Sequence, residues 1–183
     1  MPRILITGGA RSGKSHFAQE LAAKLGGPVL FVATAEPLDA EMAKRIKIHK
    51  KKRPQTWKTL ELTRHLGSEV DRIASTFRVV VIDCITLLIS NILSEHTEPL
   101  PEALIEKECE DEVEHLITCM RHHETNFVIV TNEVGEGLVP VNKVGRLYRD
   151  LLGKANQTLA RDCDTVYLMV AGIPFKIKSA YAQ

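Results

Sequence analysis

Ile4-Leu5-Ile6-Thr7-Gly8-Gly9-Ala10-Arg11-Ser12-Gly13-Lys14-Ser15 is the stretch that decides the fold. From Gly8 to Ser15 it fits G-x-x-x-x-G-K-[ST], the phosphate-binding P-loop. The apolar run before it reads as a buried strand. Phe17-Ala18-Gln19-Glu20-Leu21-Ala22-Ala23-Lys24-Leu25 after it reads as a helix, so the motif has the strand–turn–helix context it requires. The glycines let backbone N–H groups surround phosphate oxygens, and the helix N-terminus adds its positive dipole end. Lys14 then reaches the β- and γ-phosphates, and the Ser15 hydroxyl is placed to ligate Mg²⁺.

Working outward, apolar runs recur at Ile4–Thr7, Val29–Ala33, Val79–Asp83, Phe127–Thr131 and Val166–Val170. Several lack polar alternation, as strands buried on both faces do. Between them, 103–122 and 141–159 carry apolar residues at helical spacing, with the acids of the first expected to face elsewhere. Gly145 and Gly153 are candidate bends in the second. Gly172-Ile173-Pro174 reads as a turn, and Phe175-Lys176-Ile177-Lys178 as a terminal edge strand with one wet face. Alternating strands and helices imply one α/β domain over 1–183, with a mainly parallel, doubly wound sheet. Ligands then collect at the carboxyl ends of the strands.

The 24 basic and 23 acidic side chains nearly cancel, so no global field favours nucleic acid or an anionic membrane. No signal peptide is expected, and no apolar run is long enough to span a bilayer. Cys84, Cys109, Cys119 and Cys163 lack CxxC spacing and a nearby histidine set. They read as reduced thiols of a cytoplasmic protein, not as disulfides or a zinc site.

Asp83 ends a strand where a P-loop protein places the acid that completes a Mg²⁺ shell; it also suits the N-cap of a helix over Ile85–Leu93. Thr131-Asn132-Glu133-Val134-Gly135-Glu136-Gly137 is either a second loop over the site or surface turn chemistry. Between Lys44 and Arg53 lie seven basic residues and no acid. That run is a solvated helix face or an arm for further phosphates. His49 sits inside it, either as a structural residue or as a nucleophile near neutral pH.

Together these segments resemble the bifunctional adenosylcobinamide kinase/adenosylcobinamide-phosphate guanylyltransferases. The resemblance is carried by the P-loop, Ala33-Thr34-Ala35, His49 with Arg53-Pro54 and Trp57, Glu61, Asp83-Cys84-Ile85-Thr86, Thr131-Asn132-Glu133-Val134-Gly135, Arg149-Asp150 and Asn156-Gln157. It implies a RecA-like fold, a homo-oligomer and two reactions of cobalamin synthesis. A nucleoside triphosphate, GTP or ATP, phosphorylates adenosylcobinamide; GTP then donates GMP to the adenosylcobinamide phosphate through a histidine-bound intermediate. The nucleophile falls on His49, with Lys14 beside the triphosphate. Nucleotide contacts fall on Gly8, Gly9, Ala10, Arg11, Ser12, Gly13, Lys14, Ser15, Ala33, Thr34, Ala35, Lys50, Lys51, Lys52, Arg53, Glu61 and Asp83, and Mg²⁺ on Ser15 and Asp83. Two rival classes remain: a P-loop kinase for another small molecule, and a RecA-like ATPase binding nucleic acid through the basic arm.

Overall fold

The computed structural model describes residues 1–37 and 39–179, with the side chains of Arg45 and Lys52 outside that description. Seven strands form one sheet: β1 (Arg3–Gly8), β2 (Val29–Ala33), β3 (Lys58–Glu61), β4 (Val79–Asp83), β5 (Asn126–Val130), β6 (Thr165–Val170) and β7 (Ile173–Lys178), in the order β3-β2-β4-β5-β1-β6-β7. All neighbours pair parallel except β7, which returns antiparallel along β6. The helices are α1 (Lys14–Leu25), α2 (Ala40–Lys52), α3 (Leu66–Asp71), α4 (Ile85–Ser94), α5 (Glu102–His122) and α6 (Lys143–Asp162).

Because successive side chains on a strand point to opposite faces, each central strand feeds two cores. Leu5, Leu30, Val32, Val80, Ile82, Phe127 and Ile129 pack with apolar residues of α3, α4, α5 and α6. Ile4, Ile6, Phe31, Val81, Val128 and Val130 pack with Ala18 and Ala22 of α1. Both faces are covered, which is why these strands read as unbroken apolar runs.

The five expected strands lie within a residue or two of their observed bounds. β3 escaped the sequence reading because it is a four-residue edge strand in which only Leu60 is even half-buried. Helix α6 runs unbroken through Gly145 and Gly153. The Gly145 N–H donates to Asn142 Oδ1 at 2.6 Å, so it belongs to the helix cap and marks no bend. On β7 both faces are open, not one, and only Lys178 is half-buried. Ile173, Phe175 and Ile177 are exposed, while Lys178 Nζ donates to the carbonyls of Ala160, Arg161 and Cys163 at the end of α6. A cation suits that end of the helix dipole.

The acids of α5 do not all face water either. Glu112 is 4% exposed. It accepts hydrogen bonds from the His65 and Leu66 N–H groups at 2.7 and 3.3 Å, and from Arg64 Nε at 3.3 Å. The carboxylate thus satisfies orphan donors at the start of α3. Close approach of α3 to α5 needs Gly67, where a Cβ would lie 2.4 Å from the His115 backbone.

Replacing Glu112 with alanine strands the His65 and Leu66 amide donors and takes one of three carboxylate partners from the half-buried Arg64, which keeps Glu95 and Glu108. We expect Glu112→Ala to lose about 3 kcal/mol, read as a lower urea midpoint with an unchanged slope; a loss under about 1 kcal/mol would refute this role for the carboxylate.

Candidate active site

The parallel register brings the site together. Ala33 of β2 lies between Glu61 of β3 and Asp83 of β4. Asp83 is in turn level with Val130 of β5, which is level with Ile6 of β1. The carboxyl ends of these strands therefore form one edge, and the P-loop leaves β1 beside it.

Within the loop Gly8 has φ +141°, and a Cβ there would sit 2.4 Å from the Met169 carbonyl oxygen; glycine alone fits. The loop is tied to its neighbours: Glu133 N–H donates to Gly8 O and Gly172 N–H to Ser12 O, each at 3.0 Å. Gly9, Ala10 and Arg11 are exposed, Ser12 and Lys14 buried, Gly13 and Ser15 half-buried. Lys14 Nζ donates to the carbonyls of Gly8 and Gly9 at 2.9 and 2.6 Å. Burial pushes its pKa down, against the opposing pull of Cys84 and Asp83.

Asp83 is the electrostatic centre. Burial raises the pKa of its carboxyl above the ordinary value. The Ser15 hydroxyl as hydrogen-bond donor, then His49, Arg53 and Lys14 by charge, oppose the rise. The fold has thus carried His49 and Arg53 from α2 to the end of β4. Helix α2 starts at Asp39, whose side chain accepts from Met42 N–H at 2.7 Å, the normal service of an N-cap. Its half-buried described positions are Met42, Ile46 and His49, with Arg53 just past the last turn. That 4-3-4 spacing puts all four on one face.

Arg53 lies with Cζ 3.8 Å from the centre of the Phe31 ring. Its Nε and Nη1 are buried with no hydrogen-bond partner among the described residues. Burial lowers its pKa, countered by Asp83 and Glu61. An unpaired buried guanidinium is costly, and its fork geometry matches a phosphate.

The other expected contacts divide. Lys50 pairs with Glu61. Lys51 is exposed, some 200° around the helix from His49 by the 3.6-residue turn; the side chain of Lys52 lies outside the described residues. Thr34 is fully buried. Its N–H donates to Asp83 O at 3.2 Å. Its hydroxyl donates to Cys84 O and accepts from Cys84 N–H, each at 2.7 Å. Thr34 therefore braces β2 against β4 and has no donor left for a ligand, while Ala33 and Ala35 flank it. Cys84, the other nucleophilic type here, is pushed up to about 12 by burial and by Asp83; it is a neutral thiol at neutral pH.

The stretch 131–137 is a loop beside the site, held from behind. Thr131 donates to Asn156 Oδ1 at 2.7 Å, Asn156 Nδ2 to Asn132 O at 2.9 Å, and Asn132 N–H to Thr86 Oγ1 at 2.7 Å. A cleft past Glu61, lined by Ala35, Glu36, Thr63, Arg64 and His65, was not legible in the sequence, since its walls come from two loops without a motif. No helix among the described residues is long and apolar enough to cross a membrane.

Comparison with known proteins fits this geometry. Residues 4–177 match the sequence model of the family described as cobinamide kinase / cobinamide phosphate guanyltransferase. The bifunctional adenosylcobalamin biosynthesis protein CobU of Salmonella typhimurium is 41% identical over 180 residues, 96% of this chain and 99% of that protein. The CobP protein of Pseudomonas aeruginosa is 38% identical over 176 residues, 96% of this chain and 97% of that protein. Among solved structures, the RadB recombinase aligns with a TM-score of 0.52 at 16% identity, covering 91% of this chain and 73% of that one. The type III secretion ATPase EscN of enteropathogenic E. coli aligns with a TM-score of 0.56 at 10% identity, covering 93% and 43%. These two share the RecA-like P-loop fold alone. With a match along nearly its whole length and about two-fifths identity to a bifunctional relative, the chain belongs to the cobinamide kinase / cobinamide phosphate guanyltransferase family.

Proposed function

We propose that one nucleotide seat at the carboxyl edge of the sheet serves both reactions of the family: phosphorylation of the adenosylcobinamide hydroxyl, and transfer of GMP from GTP to the resulting phosphate. The observation that carries this reading is Arg53, near Asp83 as Lys14 is, with Nε and Nη1 buried and without a hydrogen-bond partner among the described residues. It marks a second anion position in addition to the loop, as a triphosphate attacked at two different phosphorus atoms requires.

In the kinase step the P-loop amides hold the triphosphate of ATP or GTP, and Lys14 leaves the Gly8 and Gly9 carbonyls for the γ-phosphate. The substrate hydroxyl oxygen gives up its proton to solvent and bonds to the γ-phosphorus, the bond to the bridging oxygen breaks, and the nucleoside diphosphate departs. In the transfer step a ring nitrogen of His49 bonds to the α-phosphorus of GTP and expels pyrophosphate. The cobinamide phosphate oxygen then displaces the histidine from the GMP. Lys14 and Arg53 offset the charge that builds on the pyrophosphate. Lys50 and Glu61 close the far side of the nucleotide, and the adjoining cleft receives the rest of the substrate.

A magnesium ion fits Ser15 and Asp83: both offer hard oxygen ligands, and burial disfavours the Asp83 charge unless a cation shares it. When bound, the ion neutralises phosphate charge. Val170, Ile173, Phe175 and Ile177, each between 51 and 61% exposed at the sheet edge, favour a homo-oligomer. Free cysteines suit the cytoplasm.

His49→Ala is expected to abolish labelling of the protein by α-labelled GTP and to cut guanylyl transfer at least about 10³-fold, while the kinase step keeps most of its rate. An acid-labile, alkali-stable label on the wild type supports the phosphoramidate; transfer undiminished in a folded variant refutes it. Lys14→Ala lowers both rates, by about 10²-fold or more, and normal turnover in either assay removes Lys14 from the shared seat.

For Asp83 the sign follows from the raised pKa. Below the ordinary carboxylate value, about 3.9, the group is protonated folded or unfolded and costs nothing. As pH rises through the higher folded value, the native state must hold a disfavoured charge and loses stability. Asp83→Asn therefore raises the melting temperature of the nucleotide- and magnesium-free protein at pH 7, with a gap that closes toward pH 4, and it destroys magnesium-dependent turnover. A thermal scan giving a lower melting temperature at pH 7 would reverse the assignment.

A further inference from the structure

At the amino end of the sheet, opposite Asp83, the fold assembles three metal-ligating side chains that the nucleotide chemistry does not use. Asp71 ends α3. Cys119 lies on the last turn of α5, and His123 follows that helix directly, four residues on. One ligand atom from each of Asp71, Cys119 and His123 lies within 4.8 Å of the other two. Cys119 and His123 come together because α5 holds its turn to residue 122, and Asp71 arrives by the packing of α3 on α5.

We propose that Asp71, Cys119 and His123 form a binding site for a zinc-class divalent metal ion, with water as the fourth ligand. The donor set is thiolate, imidazole and carboxylate, the three types zinc takes, and its sulfur and nitrogen donors are too soft for the magnesium expected at the P-loop. Bond lengths of about 2.0–2.3 Å to a tetrahedral ion put ligand atoms roughly 3.3–3.7 Å apart. The present spread therefore has to close by about 1 Å at its widest. The Asp71–His123 contact, 2.9 Å from Oδ1 to Nε2, has to open by about half an ångström. The Asp71 side chain is 48% exposed and has room to rotate, which resets its own distances to the other two. His123 is 16% and Cys119 2% exposed, so the ion enters from the Asp71 side and ends with its thiolate partner inside the core. Binding exchanges the Cys119 thiol proton for the metal, the proton leaving to solvent, while the imidazole coordinates in its neutral form. The ion would pin the end of α3 to the end of α5, just ahead of the residues that begin β4 and β5.

Titration of the full-length, chelator-stripped protein with Co²⁺, without nucleotide or magnesium, tests the site. The expected result is a thiolate-to-cobalt charge-transfer band in the near ultraviolet, with tetrahedral visible bands, saturating at one equivalent. Zn²⁺ should erase these bands and raise the melting temperature. Cys119→Ala should lose the charge-transfer band, whereas Cys109→Ala should keep it. Asp71→Asn, at an exposed position that leaves the core intact, should keep the band but weaken binding by at least about tenfold. The proposal is overturned by a wild type with no saturable band, by a band that survives Cys119→Ala, or by unchanged affinity in Asp71→Asn; Asp71 and His123 would then be an ion pair only.

Discussion

A single carboxylate that the fold makes uncomfortable organises the active edge. Asp83 ends a strand packed on both faces, where burial opposes its charge, and the chain answers with a hydroxyl and three cationic or ionisable groups from two other elements. Lys14 and Ser15 come from the first turn of α1, His49 from α2 and Arg53 from the residue that follows it. None of these is close to Asp83 in sequence; the parallel register of β1, β2, β4 and β5 alone puts their carrier loops side by side. The surrounding framework has to be stiff for such charges to remain unneutralised. Thr34 locking β2 to β4, and Asn156 holding the loop after β5, are where that stiffness originates.

A P-loop on a RecA-like sheet hosts many chemistries, so the fold by itself says little about which phosphorus atom is attacked. The distinguishing element is α2. It presents one half-buried stripe, Met42, Ile46, His49 and Arg53, above an outer face of lysines. The apolar pair lies on the same face as His49 and Arg53, two groups that act on the Asp83 carboxyl. A uniformly solvated basic helix would leave Arg53 in water; here its planar group is pressed on Phe31, and its Nε and Nη1 are buried without a partner among the described residues, a position that makes sense around an anion.

Much of this was legible in the chain. The P-loop with its flanks announced β1 and α1, and the unbroken valine and isoleucine runs announced a sheet covered on both faces. What stayed hidden shares a cause: it depends on partners far away in sequence. Lys58-Thr59-Leu60-Glu61 has no apolar pattern because an edge strand needs little burial. Glu112 looks like any acid of an amphipathic helix until the start of α3 requires an acceptor there. Thr34 belongs to the nucleotide motif by resemblance, yet its groups are all engaged with β4 and α4, its carbonyl taking the Asn91 amide at 3.0 Å. Lys51 sits in the right run but on the wrong side of its helix, which spacing from His49 already implied.

The hydrogen bond from Gly172 N–H to Ser12 O couples two parts that otherwise have separate purposes. Ser12 belongs to the loop that wraps phosphates; Gly172 is the pivot of the outermost hairpin, whose apolar side faces outward. A loop that tightens around an anion restrains that pivot, and a neighbour clasping the hairpin restrains the loop. Such restraint works equally in both directions, as any thermodynamic cycle demands. Any partner that bound this sheet edge would therefore be linked to anion binding at the P-loop through Gly172 and Ser12.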